Sequence, residues 1–434
     1  MRQPNTAIKI IPLLKRPRAP TSVAVSTDPT SDNRGAQAAP FFHPSPDNSR
    51  SGRNHPAREL ITRHRSDVSL QIRFRDVRVM LILRGLLLVT LGLLAGCSQQ
   101  SEVHALLDNY ADRVGNAIEH EVDLNLDLAS GRIPPLPPTR ARSLDITALS
   151  EGLIDVLDFR HCGLLHTIAE RNSSLGKLAP GSQRLIYEIK LLPALRQCRE
   201  DLAEDNTPDL ERLKARLDEV IDTKADNLGG VLWNSLYLSP EMEQHFALTG
   251  QPLPLTASSV FSSLQPALVH FEQLATLTDS HHWQAPHFID DLEQDFESLY
   301  RSDFGAAWLQ SLALITATLD STADALEQRL AERPVCFQQK PNNQARIIRN
   351  VFQTYYAGEL QPYLSLVHRQ GERWRYYQLS ITNALPAPQP AADYLKKLFG
   401  DSEQSLWGRY IAARDRHTRA WQTLLSQCGM MPGG

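Results

Sequence analysis

The chain has 434 residues, 42% of them apolar, so it is long enough to bury a substantial core. Residues 1–79 contain 14 Lys+Arg and 6 Asp+Glu, and Arg84 adds one positive charge, so the remainder from Cys97 has a net charge of −13 within a whole-chain charge of −4. A surface that acidic repels phosphate backbones, which argues against general nucleic-acid binding.

Residues 1–79 are rich in Pro, Ser, Asn and Arg and show no sustained apolar periodicity. Such a segment cannot bury enough apolar surface to offset the entropy lost on ordering. We therefore expect a disordered extension.

Residues 80–96 have the layout of a signal peptide, with a cationic start, an apolar run and small residues before Cys97. The uncharged run after Arg84 is only about a dozen residues, and a transmembrane helix needs about 20. The sequence Leu94-Ala95-Gly96-Cys97 resembles the bacterial lipobox, in which the cysteine thiol takes a diacylglycerol group and the chain is cut before it. The alternative is a buried core helix with a chance cysteine.

The lipobox interpretation makes Met80 the better start residue, because a signal peptide rarely follows a long polar preamble. We accordingly interpret residues 1–79 as not translated. Several acyl chains on Cys97 would anchor the chain to a membrane, since each buried CH₂ contributes about 0.8 kcal/mol. Ser98 after the cysteine resembles the signal for sorting to the outer membrane, where the protein would face the periplasm.

Helical periodicity dominates from Cys97 onward and predicts one all-α domain over 97–434, a multi-helix bundle with long amphipathic helices. A proline-rich break near 133–138 should end the first helix. Arg373–Leu379 is the one candidate strand. The predicted helices cover 101–129, the stretch around Leu153–Ile168, starts near Ser182, Thr207 and Ser239, then 257–277 with a kink or restart at Pro266, 304–331, 343–369 and 402–427.

Four cysteines follow Cys97, and an even number in an oxidising periplasm indicates two disulfides. Three pairings are possible. We favour Cys162 with Cys198 and Cys336 with Cys428, because each pair would join neighbouring helices. Four reduced, buried thiols are the alternative.

The densest polar cluster follows an apolar helix and consists of Glu170, Arg171, Asn172, Ser173, Ser174 and Lys177. Ser174 and Lys177 satisfy S-x-x-K, in which a lysine amine one turn away can help to deprotonate a serine. The usual companion motifs are missing, and an all-α fold is the wrong scaffold for that chemistry. The favoured interpretation is a helix end at Gly176 with polar contacts.

His281, His282 and His287, followed by two aspartates, contain the ligand types that zinc or copper uses. Adjacent histidines point in different directions, so a solvated loop is favoured and no metal or other cofactor is predicted. Arg373–Tyr377 interleaves arginine with aromatic residues, a pattern that suits stacking on sugars or bases but is more typical of a packing surface.

The chain resembles a group of uncharacterised gammaproteobacterial lipoproteins that share domain of unknown function thirty-eighty. The resemblance covers Cys97 to Gly434 and implies an envelope location without an assigned activity or catalytic residues. It is carried by the lipobox cysteine, the proline-rich break, Cys162, Cys198, Ile168-Ala169-Glu170-Arg171-Asn172-Ser173-Ser174-Leu175-Gly176 and Ser182-Gln183-Arg184-Leu185-Ile186-Tyr187-Glu188.

Two functions remain open. The leading hypothesis is a non-enzymatic binding or assembly factor, anchored by lipid at Cys97 and acting on an envelope protein or cell-wall partner. The alternative is a periplasmic hydrolase or metal-dependent enzyme centred on Ser174 and Lys177, or on the three histidines.

Overall fold

A computed structural model describes residues 101–149, 161–204, 207–248, 250–256, 260–277 and 284–431. These residues lie within one compact unit, Thr90–Gly434. The predictions for 1–79, 80–96 and Cys97 fall outside the described residues, as do His281 and His282.

The described part of the chain is all-α and contains no strand. Among the described residues, the α-helices are connected or extended by the 3-10 helices Leu126–Arg132, Gln244–Phe246 and His287–Asp291 and by the π-helical stretch Phe352–Leu360. The α-helices are α1 Glu102–Ile118, α2 Thr139–Arg142, α3 Leu165–Asn172, α4 Ser174–Lys177, α5 Gly181–Asp201, α6 Pro208–Tyr237, α7 Pro240–Glu243, α8 Val260–Leu277, α9 Leu292–Tyr300, α10 Phe304–Glu332, α11 Asn343–Val351, α12 Gln361–Ala384, α13 Gln389–Phe399 and α14 Leu406–Gln427.

Helix α10 is the centre of the bundle and packs against α14, α1 and α12. Every residue from Phe304 to Leu319 is buried. A helix that is apolar on all sides belongs in the interior of a protein. Its buried hydroxyl groups donate to carbonyls one turn earlier in the helix, for example Thr316 Oγ1 to the carbonyl of Leu312 at 2.6 Å. The predicted helix 304–331 is confirmed.

Two apolar clusters share helices α5 and α6. The first half of α5 and the second half of α6 contribute Leu185, Ile189, Leu232 and Trp233 to the large core. The other halves form a smaller cluster with Ile168 of α3. These two helices therefore run antiparallel and extend from the large core to the smaller one. The smaller cluster consists of Ile168, Leu191, Leu195, Cys198, Leu213, Leu217 and Val220.

Both disulfides join the pairs favoured from the sequence. Cys162 is bonded to Cys198 at a Cα–Cα distance of 5.2 Å, beside the smaller cluster. Cys336 is bonded to Cys428 at 5.1 Å, within the large core. In the described part of the chain, no helix combines the length and apolar character needed to cross a membrane.

Several expectations for the helices were wrong. The first helix does not extend over 101–129 to the proline-rich break, because α1 ends at Ile118, where Glu119 has a left-handed conformation with φ 53°. Arg373–Leu379 lies inside α12, because the buried residues Trp374, Tyr377 and Ile381 of that helix recur every three or four positions rather than every two. Helix α14 begins at Leu406, where Ser405 Oγ accepts from the amide of Gly408 at 2.9 Å, rather than at residue 402. Helix α8 is continuous from Val260 to Leu277 and contains Pro266, so the restart, one of the two expected alternatives, is wrong.

Helix α12 approaches α10 closely at Gly371. A methyl group at this position would lie 2.7 Å from Cζ2 of Trp308 and closer still to the indole nitrogen. That indole is fully buried and donates to the carbonyl of Val367 at 3.2 Å, so it cannot swing away without losing a hydrogen bond.

Gly371→Ala is therefore expected to lower the free energy of unfolding by about 2 to 3 kcal/mol, despite the higher helix propensity of alanine. Urea denaturation measures the change. Gly358→Ala is the control, because position 358 is exposed and the nearest atom to its added methyl, the carbonyl oxygen of Gln353, is 3.4 Å away. Equal midpoints for the two variants would contradict the packing explanation.

Candidate functional site

A cavity of about 370 Å³ lies beside the smaller apolar cluster, between α3, α5 and α6. Its apolar lining includes Ile168, Leu191, Leu195 and Val220, all of which belong to that cluster. Small-molecule sites typically have about 300 to 1,000 Å³ and a mostly apolar lining with a few placed polar groups. The cavity therefore has the size and lining of a small-ligand site.

One wall of the cavity is the extended segment 146–149, and two asparagines of α6 hold it in place. Asn227 accepts from the amide of Thr147 at 3.1 Å and donates to its carbonyl at 2.8 Å. Asn234 makes the same pair of bonds to Leu144, at 2.9 and 2.8 Å. The two asparagines are two helical turns apart and therefore lie on one face of α6. Their side-chain amides bind the segment much as a neighbouring strand would.

Glu188 of α5 and Lys224 of α6 form an ion pair in the cavity wall. The ammonium of Lys224 is 2.7 Å from each carboxylate oxygen, and both side chains are largely buried. Bidentate contact at low exposure makes this pair stronger than an ordinary surface ion pair. It also ties α5 to α6 at the cavity.

Two cations lie near the ring of Tyr187. The guanidinium carbon of Arg171 is 5.9 Å from the ring centre and the ammonium of Lys224 is 5.8 Å from it. These distances allow cation–π attraction. Burial raises the pKa of the Tyr187 hydroxyl far above its usual value, so the phenol stays neutral.

The structure divides the predicted polar cluster. Arg171, Asn172 and Lys177 line the cavity, whereas Glu170, Ser173 and Ser174 do not. Ser173 begins α4 as its N-cap: its hydroxyl oxygen accepts from the amide of Gly176 at 3.0 Å and donates to the carbonyl of Glu170 at 2.7 Å.

Gly176 lets α4 turn back closely against the end of α3. A methyl group there would lie 2.5 Å from the carbonyl oxygen of Arg171 and nearer still to that of Glu170. Arg171 Nη1 donates to the carbonyl of Gly176 at 2.9 Å, which closes the turn. The glycine and the arginine together position Lys177 at the cavity.

Ser174 and Lys177 do not form a nucleophile–base pair in the described structure. Ser174 is exposed, and among the described residues no hydrogen bond joins it to Lys177. A serine activated by lysine requires the two side chains within hydrogen-bond reach. The S-x-x-K spacing thus has a simpler structural role, as a short capped helix beside the cavity.

The histidine-rich segment is described only in part. His287 is exposed and its ring makes an edge contact with Phe288 at 5.7 Å, while Asp290 forms an ion pair with Lys190 at 2.6 Å. Among the described residues, no group of three or more His, Cys, Asp or Glu side chains is placed to hold a metal ion.

Three lining residues, Tyr187, Glu188 and Lys224, are not apparent as site residues in the sequence. Glu188 and Lys224 are 36 residues apart on different helices, and only the antiparallel packing of α5 on α6 brings them together. The one local signal is the adjacent Tyr-Glu pair in α5, which is too common to identify a site.

No curated protein and no solved structure matches the chain. A protein family does match, over residues 107–432, which include every described residue of the cavity lining. The match covers about three quarters of the 434 residues. The chain belongs to the family described as Protein of unknown function (DUF3080).

Proposed function

We propose that this chain is a non-enzymatic binding protein of the bacterial cell envelope, held at a membrane by acyl chains on Cys97. Its cavity binds an envelope component. The observation that carries the proposal is the cavity itself, which combines an apolar lining, a fixed wall and placed charges without a nucleophile–base pair among the described residues.

The proposed location rests on the sequence before the family region and on the disulfides. Residues 80–96 followed by Cys97 have the order of a lipoprotein signal peptide. Disulfides persist in oxidising compartments such as the periplasm and are rare in the cytosol. The two disulfides therefore agree with export, and Ser98 favours the outer membrane.

Hydrolysis by Ser174 and Lys177 is the rival function. The exposed position of Ser174 and its lack of a bond to Lys177 favour binding over catalysis. Lys177 then serves as a charged group of the binding site rather than as a base.

Intact-mass spectrometry of protein extracted from bacterial membranes tests the anchor. We expect a polypeptide that begins at Cys97 and has the added mass of a diacylglycerol group and a further acyl chain. Cys97→Ala is the control and should leave the leader uncut and the protein without fatty acid. Recovery of the wild-type protein from the cytosol, with its leader intact and Cys97 unmodified, would refute the proposed location.

A further inference from the structure

We propose that the cavity binds a small amphipathic acid, with its acidic group between Arg171 and Lys177 and its apolar body over the smaller cluster. This inference rests on the proposed binding function and names the chemical class of the ligand. It follows from which cations at the cavity have a carboxylate partner within the described part of the chain and which have none there.

The charge of the cavity is opposite to that of the chain around it. Among the described residues, the lining contains three cationic side chains, Arg171, Lys177 and Lys224, and one carboxylate, Glu188. The chain from Cys97 onward has a net charge of −13. Low-dielectric walls focus the field of charges that line a cleft. The cavity is thus a local positive site in an acidic protein.

Two of the three cations have no carboxylate partner among the residues that the structure describes. The carboxylate of Glu188 is occupied by Lys224, which contacts both of its oxygens at 2.7 Å. Arg171 donates one hydrogen bond from Nη1 to a backbone carbonyl, and a guanidinium has five N–H donors. In the described part of the chain, neither Arg171 nor Lys177 has an ion-pair partner. A bound anion would supply one.

The apolar part of the lining indicates that the ligand also has an apolar body. Ile168, Leu191, Leu195 and Val220 are part of the apolar surface of the cavity lining. A free inorganic anion would leave this surface without contacts, whereas an acid with an apolar body would cover it and gain about 25 cal/mol per Å² of apolar area buried. The volume of about 370 Å³ limits the ligand to a small molecule or one short chain.

Two fluorescent probes with the same aromatic body test the proposal. 8-Anilinonaphthalene-1-sulfonate has an acidic group, and N-phenyl-1-naphthylamine lacks it. We expect both to bind the full-length protein, and the sulfonate to bind more tightly. In Arg171→Gln/Lys177→Gln, the affinity for the sulfonate should fall about tenfold, since two charge-assisted contacts are lost, while the affinity for the neutral probe stays within about twofold.

Two further variants separate charge recognition from general damage. Glu188→Gln removes the only carboxylate of the described lining, so it should raise the affinity for the sulfonate about threefold without changing that for the neutral probe. Lys190→Gln is the matched control, because this lysine lies on the same helix as Glu188 but does not line the cavity. It should leave both affinities within about twofold.

Competition against the bound sulfonate tests separately whether the ligand needs an acidic group and whether it needs an apolar chain. We expect dodecanoate to displace the probe, and dodecan-1-ol and inorganic phosphate each to displace it at least tenfold less effectively. Equal displacement by dodecan-1-ol would overturn the requirement for charge. Equal displacement by phosphate would overturn the requirement for an apolar body.

The inference and the underlying function fail in different ways. If neither probe binds the wild-type protein, the proposed binding function is wrong. If both probes bind but the substitutions at Arg171, Lys177 and Glu188 change both affinities equally or neither, binding stands and the acidic ligand class is wrong.

Discussion

Replacing both Cys336 and Cys428 with alanine is expected to lower the free energy of unfolding by about 4.5 kcal/mol. The bond links residues 92 positions apart, and closing a loop of that size removes much of the chain entropy of the unfolded state. Alanine is chosen because both sulfur atoms are buried, and a serine hydroxyl there would add an unsatisfied polar group. Urea denaturation under oxidising conditions measures the difference.

The second disulfide provides a comparison for this experiment. Cys162 and Cys198 are 36 residues apart, so the same model predicts a smaller effect of about 3.8 kcal/mol for their double alanine variant. Since this bond lies beside the smaller cluster, its loss should affect that cluster first. Treating the wild-type protein with dithiothreitol should reproduce both losses together. A Cys336→Ala/Cys428→Ala variant as stable as the wild type would contradict the entropic argument.

The helices were predictable wherever apolar residues recur at helical spacing over a long stretch. Helix α10 follows the predicted 304–331 closely, because Trp308, Leu312 and Ile315 repeat on one side. Helix α13 is not predicted. Its buried residues do have helical spacing, but Pro386, Pro388 and Pro390 surround its start and indicate a loop, although proline is well tolerated in the first turn of a helix.

The site is only partly visible in the sequence, for a different reason. Arg171, Asn172 and Lys177 are close in the chain, so a local polar run after an apolar helix points to them. The wall is fixed by bonds between residues as far apart as Leu144 and Asn234, 90 positions. Such contacts depend on how helices pack, and no spacing within a single sequence encodes them.

The second large expected effect is a loss of folding stability at acid pH. The imidazole of His417 is fully buried in the large core, where its Nε2 lies 2.7 Å from the Tyr110 hydroxyl and 3.2 Å from the indole nitrogen of Trp421. Its Nδ1 has no hydrogen-bond partner among the described residues. Protonation would therefore create a buried charge with one unsatisfied donor. Burial lowers the pKa of His417 from 6.5 to about 3.

His245, at a different position in the core, should also lower the stability of the folded protein as the pH falls. Gly305 N–H donates to its Nδ1 at 3.1 Å, so its Nε2 donates to the carbonyl of Leu299 at 3.2 Å. A proton on Nδ1 would break the bond from Gly305. Burial lowers the pKa of His245 to about 4, partly offset by the bond to Leu299. Both histidines are therefore neutral in the folded protein at pH 7.

The sign of the pH effect follows from linkage. The unfolded chain takes up a proton at His417 below about pH 6.5, and the folded protein does so only near pH 3. Stability from this residue is therefore complete above pH 6.5 and is lost progressively as the pH falls toward 3. At pH 4 the loss should reach about 3 kcal/mol, since each pKa unit corresponds to about 1.4 kcal/mol.

Urea denaturation of wild type and His417→Gln at pH 7 and at pH 4 isolates this contribution. Glutamine keeps a polar group near the Tyr110 hydroxyl but cannot take up a proton, so the variant should lose about 3 kcal/mol less than the wild type between the two pH values. His287→Gln, which removes an exposed imidazole outside the large core, is the control. If the wild type and His417→Gln lose the same free energy of unfolding between pH 7 and pH 4, His417 takes up its proton equally in the folded and unfolded states. The claim that burial keeps its imidazole neutral in the folded protein would then be wrong.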